Sequence, residues 1–362
     1  MFRTINRLRG RSLKKINIMK LNFKENNGPV DAIIDQLVNQ VGDIARPRIV
    51  REMILTALKA GQEDDGEGDL KMMSTSLKEM RYTAKIFSDY RQFKKVTVFG
   101  SARTRSDEKA YHMARQMGKK LVQAGYMVIT GGGPGIMQAV HEGAGPEKSF
   151  GVNIRLPFEQ QSNPVVNGNP KNIIYKYFFN RKVAFLKESD AVVLFPGGFG
   201  THDEGMETLT LVQTGKRNPL PLILVDEPGG SYWSDWVQFL NDHLLKNGYI
   251  NESDLHLIER VENVDDAVAK INRFYFRYHS LRYIGNQVVL RLTSAIEQDR
   301  LNEMKASFSE MLTPGGNMIL SGPLPAEADE PEIAHLQRLV VDFNRHNLGW
   351  LKQLIDAVNE AI

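Results

Sequence analysis

The chain has 362 residues, 42% apolar and 25% charged, with a formal net charge of +3 and no cysteine. At roughly 150 residues per domain, this is two or three units of a globular protein. The missing thiols exclude disulfides, thiolate metal sites and a cysteine nucleophile. A charge this close to balance gives the whole chain no strong bias toward nucleic acid or membrane. No apolar run reaches the roughly 20 residues that span a bilayer, and no signal-peptide pattern is present. A soluble, cytoplasmic protein is therefore expected.

Three zones follow one another. Residues 1–92 read as a helical extension with a basic tail. The tail carries Arg3, Arg7, Arg9, Arg11, Lys14, Lys15, Lys20 and Lys24 with no acid among them. It suits a solvated tail, a surface for nucleotides or a partner, or a transit peptide. Helical stretches are expected at Val30–Val41, Pro47–Leu58 and Met72–Tyr90, with an acidic linker at Gly61–Gly68. Residues 93–278 alternate short apolar strands with helices. Strands are expected at Val96–Phe99, Met127–Thr130, Phe150–Ile154, Ala191–Phe195 and Leu220–Val225. Helices are expected at Asp107–Ala124, from Gly135, at Arg181–Glu188, after Pro196, and at Trp233–Leu245. This alternation predicts an α/β fold: a Rossmann-like, doubly wound parallel sheet. Residues 279–362 read as a small α+β module: strand Val288–Leu292, helix Ala295–Met311, strands Asn317–Ser321 and Leu339–Phe343, helix Trp350–Ala361.

The chemistry concentrates at two glycine-rich turns, each between a strand and a helix. Gly131-Gly132-Gly133-Pro134-Gly135 follows the second strand. Pro196-Gly197-Gly198-Phe199-Gly200-Thr201-His202-Asp203-Glu204 follows Ala191–Phe195. Glycines there bare backbone N–H groups, and a helix N-terminus adds partial positive charge, so the site suits a phosphate. Thr201 can cap the helix or donate to a phosphate oxygen. Glu204, at about the third helical position, can close a capping box with Thr201 or face a ligand. Ligands of an open α/β sheet lie at the carboxyl ends of strands, where both turns must sit. Gly100, Ser101 and Arg103 end the first strand on the same rim. Arg181 and Lys182 precede the strand leading to Pro196; Arg181 can clamp a phosphate or serve as a solvated helix residue. The pattern is neither a Walker loop nor a dinucleotide fingerprint. His112, His141, His202 and His279 read as structural or surface residues. The aromatic cluster Tyr175, Tyr177, Phe178 and Phe179 reads as core, with one ring able to stack on a base.

Together, P-G-G-x-G-T-x-x-E, the upstream Arg181-Lys182 pair and the G-G-G-P-G-x-M turn resemble the LONELY GUY (LOG) family. Its members are phosphoribohydrolases that release base from nucleoside 5′-monophosphates, long bacterial nucleosidases included. The family was formerly labelled lysine-decarboxylase-like, but no pyridoxal-phosphate lysine site is visible here. The resemblance covers roughly residues 95–275. It implies catalytic roles for Arg181 and Glu204. It implies phosphate or substrate contacts for Gly132, Gly133, Gly197, Gly198, Gly200 and Thr201, with Gly100, Ser101, Gly135 and Lys182 beside them. Gln138 and Asp203 stand where many relatives carry glutamate. Tyr278–Tyr283 is similar to a stretch of the long bacterial members. The resemblance also implies a homo-oligomer. No cofactor, metal, nucleic-acid partner or membrane partner is expected, and the small-molecule partner is a nucleoside 5′-monophosphate. The competing readings are a non-catalytic sensor of such a nucleotide or an alarmone, an NAD-dependent oxidoreductase, and a scaffold.

Overall fold

The computed structural model describes residue 23 and residues 27–63, 66–157, 161–346 and 348–360. The basic residues of the N-terminal tail lie outside these. Contacts divide the chain into two units, Met1–Leu77 and Lys78–Ile362.

In the first unit, α1 (Pro29–Val41) opens with proline, whose missing N–H costs nothing in the first turn. It pairs with α2 (Pro47–Glu63). Ile34 and Val38, one helical turn apart, meet Leu55, and Phe23, Ile44, Val50 and Ile54 edge that small core. Asp31 and Arg51 form an ion pair between the helices. A third helix, α3 (Glu67–Ser88), begins in this unit and continues past Leu77 as the start of the second.

The second unit is built on a seven-stranded sheet. In chain order its core elements are β1 (Lys95–Phe99), α4 (Lys109–Gln123), β2 (Met127–Thr130), α5 (Ile136–Ala144), β3 (Ser149–Ile154), β4 (Asn172–Tyr175), α6 (Phe178–Glu188), β5 (Ala191–Leu194), α7 (Phe199–Gln213), β6 (Leu222–Val225), α8 (Tyr232–Phe239), α9 (Glu252–Leu255), β7 (Ile258–Val261) and α10 (Val264–Phe274). The strand order is β4-β3-β2-β1-β5-β6-β7, with every pairing parallel. The expected doubly wound parallel layer is thus what the chain forms. Its inner strands are apolar because both faces are covered. Val96, Val98, Ala191 and Val193 pack under α4, α5 and α10. Phe99, Val192 and Leu194 pack on the opposite face with Phe87, Phe185, Val212 and Trp233. The face alternates with each residue, the period of a strand. From β1 the chain winds outward through β2, β3 and β4, then returns to place β5 on the other side of β1. The β1–β5 junction is the topological switch point, where a crevice opens beyond the strand ends.

The C-terminal module is an antiparallel sheet, β10-β11-β9-β8, built from β8 (Tyr278–Ile284), β9 (Gln287–Leu292), β10 (Met318–Ser321) and β11 (Gln337–Asp342). Helices α11 (Gln298–Ser307) and α12 (Leu348–Asn359) cover one face around Leu290, Leu339, Leu351 and Ile355. On neighbouring strands Arg291 and Arg338 stand opposite each other. Glu327 bonds both, its Oε1 2.7 Å from Arg291 Nε and its Oε2 3.0 Å from Arg338 Nε.

Five of these elements lie outside the expectations from sequence, the four-residue α9 (Glu252–Leu255) among them. β4 and β7 are edge strands with half-exposed positions, so neither forms a buried apolar run. β8 is likewise largely half-buried and carries His279, Ser280 and Arg282; the module therefore has four strands where three were expected. α10 is strongly amphipathic but short, and it was passed over. The helix expected over Trp233–Leu245 is α-helical only to Phe239 and finishes as a π turn over Leu240–Leu245.

Candidate active site

The crevice begins with two backbone ties across the switch point. Phe195 N donates to Phe99 O at 2.9 Å, and Ser101 N to Pro196 O at 3.1 Å. A third tie, Ile136 N to Ser101 O at 3.0 Å, brings the start of α5 beneath the same loop. The turn before α5 needs glycine at 135. Its φ is +66°, and a Cβ there would lie 2.3 Å from Ser101 O.

A cavity of about 690 Å³ opens at this point. Gly100, Ser101, Arg181, Gly197, Gly198, Gly200, Thr201 and Glu204 all line it. Arg103, Met137, Phe178, Phe199, His202 and Asp203 also belong to the wall. Gly132, Gly133 and Gly135 stand one layer back. Gly132 already gives its N–H to Thr130 Oγ1 at 3.0 Å, and its carbonyl accepts from Asn163. Gln138 turns away to bond Glu142 Oε1 at 2.9 Å.

α7 starts at Phe199 behind the N-cap Gly198, and no side chain caps it. Thr201 N donates to Gly198 O at 3.0 Å, while the N–H groups of Phe199 and Gly200 have no acceptor within the helix. They sit at the positive end of its dipole and on the cavity wall, an arrangement that receives an anion. Thr201 is the third residue of α7 and Glu204 the sixth. The capping-box reading of this pair is therefore corrected: Glu204 lies one turn too far along to reach the N-cap.

Glu204 is 4% exposed, and its Oε2 has no hydrogen-bond partner. Burial drives its pKa up to about 7; Lys182 and Arg181 oppose the rise, while Glu207 and Asp203 reinforce it. Lys182 Nζ stands 3.8 Å from that oxygen, beyond a hydrogen bond. Lys182 is instead committed to Glu207 at 2.6 Å and Asp203 at 3.0 Å. Arg181, on α6, donates from Nε to Val152 O at 2.8 Å and lies 4.9 Å above the Phe185 ring. Burial lowers its pKa and the nearby Glu204 raises it, but the two side chains form no ion pair. A half-buried cation and a buried carboxylate with an oxygen that makes no hydrogen bond thus border one cavity. Perturbed ionisable groups in a cleft mark a functional-site candidate.

Sequence reasoning missed some of the wall and its support. Of the expected aromatic core, Tyr175 is fully buried, but Phe178 is 53% exposed, beside the cavity. Phe199 is 96% exposed. His202 donates through Nε2 toward Tyr232 Oη, 2.6 Å away, and Tyr232 in turn bonds Gly197 O. Asn163 left no signal, being a lone polar residue in the connection between β3 and β4. Among the described residues no cluster of three or more His, Asp or Glu side chains is arranged to hold a metal ion.

Residues 134–271 match a family model described as "Possible lysine decarboxylase". A protein of Arabidopsis thaliana named cytokinin riboside 5′-monophosphate phosphoribohydrolase is 26% identical over 189 residues, covering 51% of this chain and 83% of that protein. A protein of the same name from Oryza sativa subsp. japonica is 27% identical over 195 residues, covering 52% and 76%. The chain resembles the LONELY GUY family. Among solved structures, the molybdenum cofactor carrier protein of Chlamydomonas reinhardtii aligns with a TM-score of 0.35 at 19% identity, covering 50% of this chain and 97% of that one. The family-model match over residues 134–271 includes Arg181, Glu204 and the turn that opens α7. It leaves the first unit and the C-terminal module outside. Among the described residues no helix is long and apolar enough to cross a membrane.

Proposed function

We propose that this cavity hydrolyses the N-glycosidic bond of nucleoside 5′-monophosphates, releasing free base and ribose 5-phosphate. The carrying observation is the buried Glu204, which keeps one oxygen without a hydrogen bond and lines a cavity that also receives the N-terminus of α7. The 5′-phosphate binds at that helix terminus and anchors the ribose, so remote binding energy serves orientation. Arg181 supplies a second cation for the substrate's anionic end. The C1′–N bond breaks through an oxocarbenium-like ribose. The Glu204 carboxylate stabilises that cation and accepts a proton from the attacking water, whose oxygen bonds C1′. The bond pair leaves with the base, which takes up a proton from solvent, and Glu204 returns the water's proton to solvent. Met137 and Phe178 offer an apolar wall to the base. The names of the Arabidopsis and rice relatives support this reading.

The test is chromatographic detection of base from a panel of nucleoside 5′-monophosphates and the matching nucleosides, with wild type beside Glu204→Ala. Release from monophosphates alone, lost in the variant, is expected. Tight nucleotide binding without release would support the sensor reading instead.

A further inference from the structure

His141 and Asn163 lie outside the cavity, and no step of the proposed reaction uses them. Both are buried, on α5 and on the β3–β4 connection. His141 Nε2 lies 3.2 Å from Phe150 O and 3.1 Å from Thr130 Oγ1. Its Nδ1 lies 3.1 Å from Asn163 Nδ2. An amide NH₂ only donates, so Nδ1 accepts and the ring proton sits on Nε2, donated to the Phe150 carbonyl. That ring is neutral, and burial, pushing its pKa down to about 4, keeps it so.

The imidazole thereby fixes which way the Asn163 amide points. The second N–H of the same Nδ2 is shared between Gly132 O at 3.0 Å and Gly133 O at 3.1 Å, and Asn163 N adds a bond to Gly132 O at 2.8 Å. A flipped amide would set its oxygen against two carbonyls. With Gly132 N held by Thr130 Oγ1, the turn is pinned from both sides. The turn in turn walls Arg181: a Cβ on Gly131 would lie 2.7 Å from the arginine's NH2 nitrogen. Arg181 is thus held between the Gly131–Gly133 turn and the Val152 carbonyl.

We propose that Asn163, oriented by neutral His141, is a positioning residue that holds the Gly131–Gly133 turn against Arg181 and so places the guanidinium in the cavity. The proposal rests on Arg181 acting in the proposed hydrolysis. A displacement near 1 Å lowers such a rate by about 100-fold.

The experiment has three arms. First, ¹⁵N spectra of wild-type His141 are expected to show an unprotonated, accepting Nδ1; a protonated Nδ1 would overturn the proposal without any variant. Second, crystal structures of Asn163→Ala and the similarly sized Asn163→Asp are expected to show the turn and the Arg181 guanidinium displaced. An Arg181 that has not moved in a folded variant would overturn it. Third, Asn163→Ala is expected to lower kcat/KM for base release about 10- to 100-fold in wild type, but by less than about 3-fold when Arg181 is already alanine, as coupled sites require. Equal losses in both backgrounds would show that Asn163 does not act through Arg181. A displaced Arg181 in the variants of a protein that releases no base would sink the hydrolase reading and leave the positioning claim intact. An active wild type whose variants leave Arg181 in place would do the reverse.

Discussion

Glu204 holds one oxygen without a hydrogen bond at the base of a cavity, inside a shell that pushes its pKa up to about 7. An exposed glutamate loses its proton near pH 4.5. Between those values the folded chain binds more protons than the unfolded one, so stability falls as pH rises through about 4.5 to 7. Glu204→Gln removes that slope. We expect the variant to be more stable than wild type at pH 8 by about 1–3 kcal/mol, and near wild type at pH 4.5. Urea unfolding at the two pH values measures this. The same substitution is expected to lower base release at least 100-fold. A residue that lowers stability while serving activity is the pattern of a functional site. Arg181 and Glu204 were legible as residues of this cavity through the family resemblance, whose motifs hold both. Asn163 was not. Its significance lies in three acceptors that only the folded chain brings to one amide.

At the scale of elements, the site depends on where α7 starts. The N–H groups of Phe199 and Gly200 are left to a ligand because Gly198 offers no side-chain cap. Phe199 is the first helical position, one that tolerates proline, so Phe199→Pro deletes a single amide donor and leaves the helix in place. We expect KM for monophosphates to rise about 10-fold, the worth of one hydrogen bond to a charged group, with nucleoside binding unchanged. Phe199→Ala controls for the lost ring. A proline variant that matches the alanine variant would remove the helix terminus from the phosphate site. Central strands such as Val96–Phe99 and Ala191–Leu194 were legible because burial on both faces demands continuous apolar residues. Edge strands β4 and β7, half exposed, carry no such demand and passed unread. The start of α7 was misjudged by the same local reasoning: Thr201 and Glu204 match a capping box in spacing, and only the tertiary turn at Gly197-Gly198 sets the helix start two residues ahead of Thr201.

For the whole molecule, the sheet order puts the candidate site at the β1–β5 switch point of the second unit. The C-terminal module carries its own vulnerable centre. Glu327 is buried between Arg291 and Arg338, so Glu327→Ala leaves two buried guanidinium groups short of a partner. A loss of about 3–5 kcal/mol is expected, read by thermal or urea melting. A loss below about 1 kcal/mol would mean the arginines find other partners. Exposed apolar side chains also gather on the helices that border the site, with Phe179 and Val183 on α6 each 48% exposed and Phe199 more so. Patches of this kind mark contact surfaces. We predict a scattering mass in solution above the 40.9 kDa of one chain, reduced by Phe179→Glu with Val183→Glu; a monomeric wild type would refute this. The central claim, however, concerns one bond. Wild type and Glu204→Ala should be incubated with nucleoside 5′-monophosphates and the matching nucleosides, and the free base measured. The account predicts base from monophosphates with wild type only. Base from Glu204→Ala at the wild-type rate, or none from wild type with any monophosphate, would contradict it.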